Sequence, residues 1–282
     1  MKNKFLLWFI VDILIVILII YSYNNIFFYE KYTNPDIKIT PDTDNIKNKI
    51  IFILWTGGTL TQNRIKGIKK IREKTKCNVT LINYKDNLKK FILKDYPLHK
   101  GYKYLSAIHK ADYLRCYMMH HYGGGYSDIK AAKHSWIPEF EKIEKDKNIW
   151  ALGCNNKECG FGLAYPYEND KIQNKFMKTN HNKMIGVSYF IYRPRTKITY
   201  EWYNNLIKRM DFYYNKLKKN PAKFPRESTQ GTPKPVWEGG KTNTKYPIGW
   251  NRILGQIIYP IQLKYLNHIK HGIKDADDSN YL

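Results

Sequence analysis

The longest apolar run in the chain comes first. From Phe5 to Tyr21 it is interrupted only by Asp12, which is also the only formal charge between Phe5 and Tyr29. Extended through Asn24 and Asn25 to Phe28, the segment covers the ~20 residues that a helix needs to cross a bilayer. A single Asp costs roughly 2.5–3.5 kcal/mol at the bilayer centre and less near an end. No Ala precedes Ala107, and Ser22 is the one small residue after the run. Cleavage of a signal peptide requires small residues in an A-x-A-like arrangement. The pattern therefore predicts an uncleaved signal-anchor at residues 1–29, contacting lipid through residues 5–28. Lys2 and Lys4 before it favour a cytosolic N-terminus, although Lys31 and Lys38 nearly cancel that bias. The expected arrangement is single-pass, type II, with the globular part on the non-cytosolic side. Residues 30–48 carry Pro35, Pro41 and several Asp and Asn without an apolar period, and read as a linker. Residues 49–282 form the globular part.

Its first element is the apolar run Ile50 to Trp55, closed by Thr56, Gly57 and Gly58. Such a run suits a parallel strand buried on both faces. A basic helical stretch follows from Gln62 to Lys76, then a second strand from Asn78 to Asn83. The β-α-β order predicts an α/β sheet flanked by helices. Ligands of open α/β sheets bind outside the carboxyl ends of the strands. Gly57 is thus a candidate for close approach to a phosphate, although the stretch lacks the GxGxxG pattern of dinucleotide folds. Trp55 has two readings, a core residue closing its strand or a platform for a nucleobase.

Ile108, Ala111, Leu114, Met118 and Tyr122 recur at helical steps, and Asp112, Arg115 and Met119 share an adjacent face. Gly123, Gly124 and Gly125 end this helix in a sharp turn. Tyr126 to Ile129 then reads as a short strand that carries Asp128 to the rim of the sheet. Further along, the polar group Thr179 to Asn182 precedes a strand pattern from Ile185 to Tyr192, which makes Asn182 a candidate for lining an acceptor. Glu201 to Lys219 has a helical period, and Pro221 to Lys245 reads as a long loop able to close over a ligand.

Composition narrows the choice of function. The chain has 282 residues, a net charge of +24, and 24 Tyr, 12 Phe and 7 Trp, too many aromatics for a disordered protein. A basic surface attracts phosphates, anionic lipid or nucleic acid. The lysines are spread rather than clustered with exposed aromatics, which argues against a nucleic-acid partner. The four cysteines show no zinc spacing. Cys154 and Cys159 are close enough in sequence to close a small loop in an oxidising compartment, whereas Cys116 reads as a core thiol.

The residues that carry chemistry are concentrated in the stretch A-D-Y-L-R-C-Y-M-M-H-H-Y-G-G-G-Y-S-D, Ala111 to Asp128. From spacing alone, Asp112 and Arg115 could be a surface pair worth about 0.3–0.5 kcal/mol. The whole stretch, however, resembles the sugar-nucleotide site of GT-A glycosyltransferases with a DxD motif, such as the Och1-like and capsular-polysaccharide-synthesis groups. The opening strand IFILWTGG also resembles the first strand of that family. The resemblance extends more loosely to Tyr246–Gly255. It implies a GT-A-like, Rossmann-type mixed sheet that transfers a hexose from a UDP- or GDP-sugar to a glycan or polysaccharide acceptor with retention of configuration. On this resemblance Trp55 stacks on the base, Asp112 and Arg115 bind sugar hydroxyls, Tyr126 packs near the ribose, and Trp250 with its neighbours Asn251 and Arg252 approaches the diphosphate. Gly124 is the second glycine of the motif's Y-G-G turn. Asp128 is the first acid of the DxD and touches ribose or a metal-bound water.

The second acid, which in the family binds Mn²⁺ or Mg²⁺, is replaced by Lys130. A protonated Lys cannot ligate a metal, but it can pair with phosphate. Three consequences stay open: catalysis with little or no metal, a metal completed by another carboxylate, or a non-catalytic sugar-binding protein on the same fold.

Overall fold

A computed structural model describes residues 39–83, 85–130, 132–157, 171–229 and 244–274, together with 11 and 13–16. The first strand, β1 (Ile50–Trp55), alternates its side chains between two cores. Ile50, Phe52 and Leu54 enter one core, Ile51 and Ile53 the other. Burial on both faces is what makes the strand apolar at every position. Helix α1 (Gln62–Thr75) starts where Thr61 accepts a hydrogen bond from the Arg64 amide at 3.3 Å, and it stops where Lys76 turns left-handed at φ 59°. Strand β2 (Asn78–Asn83) then pairs with β1 in parallel over its whole length.

Helix α2 (Ala107–His121) leads through the glycine turn into β3 (Gly124–Ser127). Then come α3 (Ile137–Lys145), β4 (Ala151–Asn155), α4 (Lys171–Asn180), β5 (Ile185–Tyr192), α5 (Lys197–Lys219), α6 (Gly255–Lys264) and β6 (Ile269–His271). The sheet order is β2-β1-β3-β5-β4-β6. β5 runs antiparallel between β3 and β4, and the remaining pairings are parallel. This mixed α/β sheet fits the expected GT-A arrangement. One face is covered by α2, α5 and α6 through Leu114, Tyr117, Met118, Trp202, Leu206 and Ile258. The other is covered by α1 and α3 through Ile68, Ile71, Phe140 and Ile143.

Several expected elements differ in extent. α5 begins at Lys197, one turn before the periodic run at Glu201. β3 ends at Ser127, so Asp128 lies just past the strand and stays attached through its amide to the Ser188 carbonyl at 2.7 Å. Residues 39–48, expected in the linker, reach into the fold. Asn45 and Ile46 are buried, and Asn45 Nδ2 donates to the Tyr122 carbonyl at 2.8 Å. The expected anchor lies outside the described residues except for 11 and 13–16, which are helical and exposed. Among the described residues no helix is long and apolar enough to cross a membrane. Most of the expected closing loop, residues 230–243, and Cys159 also lie outside the described residues. Cys154 is disulfide-bonded, whereas Cys77 and Cys116 are free and buried.

The glycine turn depends on backbone freedom. Gly123 has φ +64°, and a Cβ there would lie 2.3 Å from Pro194 Cδ. Gly124 has φ +92°, and a Cβ there would lie 2.9 Å from the Ile50 carbonyl oxygen. Gly123→Ala is expected to destabilise the protein by about 1–3 kcal/mol from overpacking alone, with backbone strain added. Chemical denaturation of the variant against the natural chain measures this.

Candidate active site

α2 brings two charged residues to the rim, and β3 with the residue just past it supplies two more groups that meet them. Arg115 Nη2 lies 3.1 Å from Asp128 Oδ1 and 3.5 Å from Asp112 Oδ1. Its Nη1 donates to the Val187 carbonyl at 2.8 Å. The guanidinium carbon sits 4.6 Å from the centre of the Tyr126 ring. The Tyr126 hydroxyl donates to Asp128 Oδ1 at 2.5 Å. The side chains of Arg115, Asp112 and Asp128 are 12, 9 and 15 % exposed, so this is not a surface pair. Removing one partner from such a buried arrangement typically costs about 3–5 kcal/mol, because a charge is left uncompensated.

The constellation offers both polarities in a small space. The Asp112 carboxyl is raised to about 7, chiefly by burial, with Arg115 pulling against the shift and Asp128 adding to it. Near neutrality Asp112 is therefore divided between a carboxylate that accepts from hydroxyls and an acid that donates. Arg115 is a fixed donor beside it. This pairing suits a polyhydroxylated ligand held next to an anionic group.

Three loops converge one turn ahead of Asp112. Thr56 Oγ1 donates to the Ala107 carbonyl at 2.5 Å, tying the β1 loop to the start of α2. The Ile108 amide donates to the Pro225 carbonyl at 3.1 Å. His109, fully buried, lies 2.9 Å through Nδ1 from both Ser106 Oγ and Tyr246 Oη, and 3.2 and 3.3 Å through Nε2 from the Gly249 and Trp250 carbonyls. Sequence reasoning passed over His109 and the Val187 carbonyl, and reached Tyr246 only as the first residue of the looser Tyr246–Gly255 resemblance. The one available signal was that His109 precedes Asp112 by three residues and so shares its helix face.

The other sequence-derived candidates are distributed around this centre. The alternation along β1 sends Trp55 to the face opposite Phe52, where it packs beside Ile51 and Ile53. Its indole N–H donates to the Gly58 carbonyl, and a Cβ on Gly57 would lie 3.2 Å from its ring. Arg64 lies 5.8 Å from the ring centre. Trp55 and Gly57 thus form a packed unit with their own loop at the carboxyl end of β1. Gly124 begins β3 and abuts the first residue of β1, so it lies at the end of the strand away from Asp128. Its geometry serves the turn rather than a ligand at the carboxyl rim. Asn182 is exposed, and its carbonyl accepts from Asn155 Nδ2 at 2.7 Å, next to the start of β5. Trp250 is half-buried, with the Arg226 guanidinium carbon 5.6 Å from its ring centre. Asn251 Oδ1 accepts from the Gly255 amide at 2.9 Å, and the Arg252 carbonyl accepts from Arg209 at 2.7 Å.

Lys130 is 4 % exposed, and its amide donates to the Asp128 carbonyl at 2.7 Å. The metal implied by the family resemblance does not fit the described residues at this position. Asp128 Oδ1 is engaged by Tyr126 and Arg115. The second position holds a Lys. Among the described residues no group of three or more His, Cys, Asp or Glu is arranged to hold a metal ion.

Residues 61–150 match the family model described as glycosyltransferase sugar-binding region containing DXD motif. The matched segment contains α2, β3 and the Asp112–Asp128 constellation, and it supports a glycosyltransferase family. No curated protein and no solved structure matches the chain.

The buried ionisable groups set a pH dependence. Burial lowers His109, His120 and His121 from 6.5 to about 4, with Arg195 adding to the shift at the last two. Their contribution is present above 6.5 and is lost as the pH falls through about 4. Asp112 acts in the opposite sense: raised from 3.8 to about 7, it favours folding below 3.8 and loses that effect as the pH rises through about 7. Acidification from pH 6.5 to 4 is thus expected to destabilise the protein, with Asp112 offsetting part of the loss. Asp112→Asn should make the fall in denaturation midpoint over this range steeper, as urea titrations at successive pH values would record.

Proposed function

We propose that the chain is a glycosyltransferase that moves a hexose from a UDP- or GDP-sugar to a glycan or polysaccharide acceptor, with retention of configuration. The observation that carries this reading is the buried Asp112–Arg115–Asp128 cluster at the carboxyl rim of β3, inside the segment that matches the sugar-binding model. Single-pass anchorage through residues 5–28 belongs to the same reading and rests on the apolar run alone.

In this reading Asp112 and Arg115 orient the donor sugar through its hydroxyls, and Tyr126 with Asp128 borders the ribose. Departure of the nucleotide diphosphate builds negative charge, which a fixed cation stabilises more in the transition state than in the ground state. Lys130 replaces the second acid of the motif and supplies positive charge at that position, so no step needs a divalent ion. The same substitution motivates the second reading, a sugar-nucleotide-binding protein that does not catalyse.

The test is a panel of UDP- and GDP-sugars offered to the purified chain, with Mn²⁺ and with EDTA, following nucleotide release. Release that persists in EDTA and falls about 10²–10³-fold in Arg115→Ala is the expected result. Binding without release would assign the chain to the non-catalytic reading. Full activity in Lys130→Met, together with loss in EDTA, would remove Lys130 from its proposed role.

A further inference from the structure

We infer that His109 is a positioning residue that seats the strap of residues 246–250 against the first turns of α2, making the strap a wall of the donor site. This rests on the nucleotide-sugar reading of that site. The tautomer follows from the partners. Both groups near Nε2 are backbone carbonyls, of Gly249 and Trp250, which can only accept. Nε2 therefore carries the hydrogen. Burial keeps the ring neutral at physiological pH, so Nδ1 is an acceptor, facing the hydroxyls of Ser106 and Tyr246. The Tyr246 ring also stacks on the imidazole, with centroids 5.6 Å apart and planes 21° apart. One buried side chain thus holds both ends of the strap to α2 through opposite hydrogen-bonding polarities.

Ser106 shows that the arrangement is specific. It occupies the N-cap of α2, a position where serine usually bonds to the helix backbone, yet it makes no such cap bond. Its hydroxyl faces His109 instead. The strap is further tied to the neighbouring segment, because the Thr229 amide donates to the Ile248 carbonyl at 2.9 Å. Thr244 donates to Glu227, whose other oxygen accepts from the amides of Lys223 and Phe224. His109 and Asp112 are successive on one helix face and both are buried. The Asp112 and Glu227 carboxylates lie within electrostatic reach of the Tyr246 hydroxyl. What His109 holds is therefore adjacent to the group that would meet the donor sugar. The strap also carries Trp250, with Arg226 over its ring.

An ordinary core histidine would affect stability and nothing else, so the variants must separate the two roles. His109→Asn keeps an acceptor near the Nδ1 position, His109→Gln keeps a donor near Nε2, and Tyr246→Phe removes one hydroxyl while retaining the ring. The full chain and the three variants are compared by melting temperature, by amide hydrogen exchange across residues 244–250, and by KM and kcat for the sugar nucleotide that the natural chain uses. Expected are faster exchange confined to the strap and a KM about tenfold higher in Tyr246→Phe and His109→Gln, with kcat within about threefold, and partial recovery in His109→Asn. A lowered melting temperature with exchange in the strap and KM unchanged would overturn the inference. If the natural chain neither binds nor turns over any sugar nucleotide, the donor reading fails on its own. The seating is then decided by exchange in Tyr246→Phe, where faster exchange of the strap upholds it and unchanged exchange refutes it.

Discussion

A guanidinium removed from water needs acceptors around it, and Arg115 draws its acceptors from three elements. Asp112 comes from its own helix, Asp128 from the chain just past β3, and the Val187 carbonyl from β5. Tyr126 adds its ring face and, by donating to Asp128, fixes the carboxylate. The cluster is therefore both a chemical centre and a joint. Burial makes each partner necessary to the others, since desolvation punishes an unpaired charge far more than it rewards a paired one. Rigid placement of this kind is what a site needs when it must hold a flexible sugar in one orientation.

A second joint lies one turn earlier on the same helix. The first turn of α2 receives the β1 loop through Thr56, the 222–229 segment through the Ile108 amide, and the 246–250 strap through His109. None of these contacts uses a formal charge. They set position by directional hydrogen bonds among buried neutral groups, which suits a region where another net charge would disturb the Asp112–Arg115–Asp128 balance.

Much of the frame was legible because its signals are local. The run from Ile50 to Trp55 is apolar throughout because both of its faces are covered, and the structure gives β1 those same bounds. The 111–128 stretch was legible as a unit because a helix, a glycine turn and a strand follow one another directly. What could not be read were meetings between distant residues. His109 and Tyr246 are 137 positions apart, and a lone histidine in an apolar helix gives no hint of its partners. A backbone acceptor such as the Val187 carbonyl leaves no mark in sequence at all. Trp55 was left between a core residue and a nucleobase platform, and the two-residue alternation of β1 places it on the Ile51 and Ile53 face. Gly124 was grouped with the site as part of the motif resemblance, whereas β3 starts at Gly124 and carries the chain away from it towards Asp128.

The antiparallel β5 between β3 and β4 also governs the order in which the molecule can be completed. β4 precedes β5 in the chain, yet its pairing with the rest of the sheet runs through β5, and among the described residues β6 pairs only with β4. Half of the sheet therefore has no template until residues 185–192 are in place. Arg115 likewise lacks its Val187 partner until then, and the 246–250 strap follows later still along the chain. During synthesis the 111–128 stretch emerges early but matures late, because its final partners are separated from it by large chain closures.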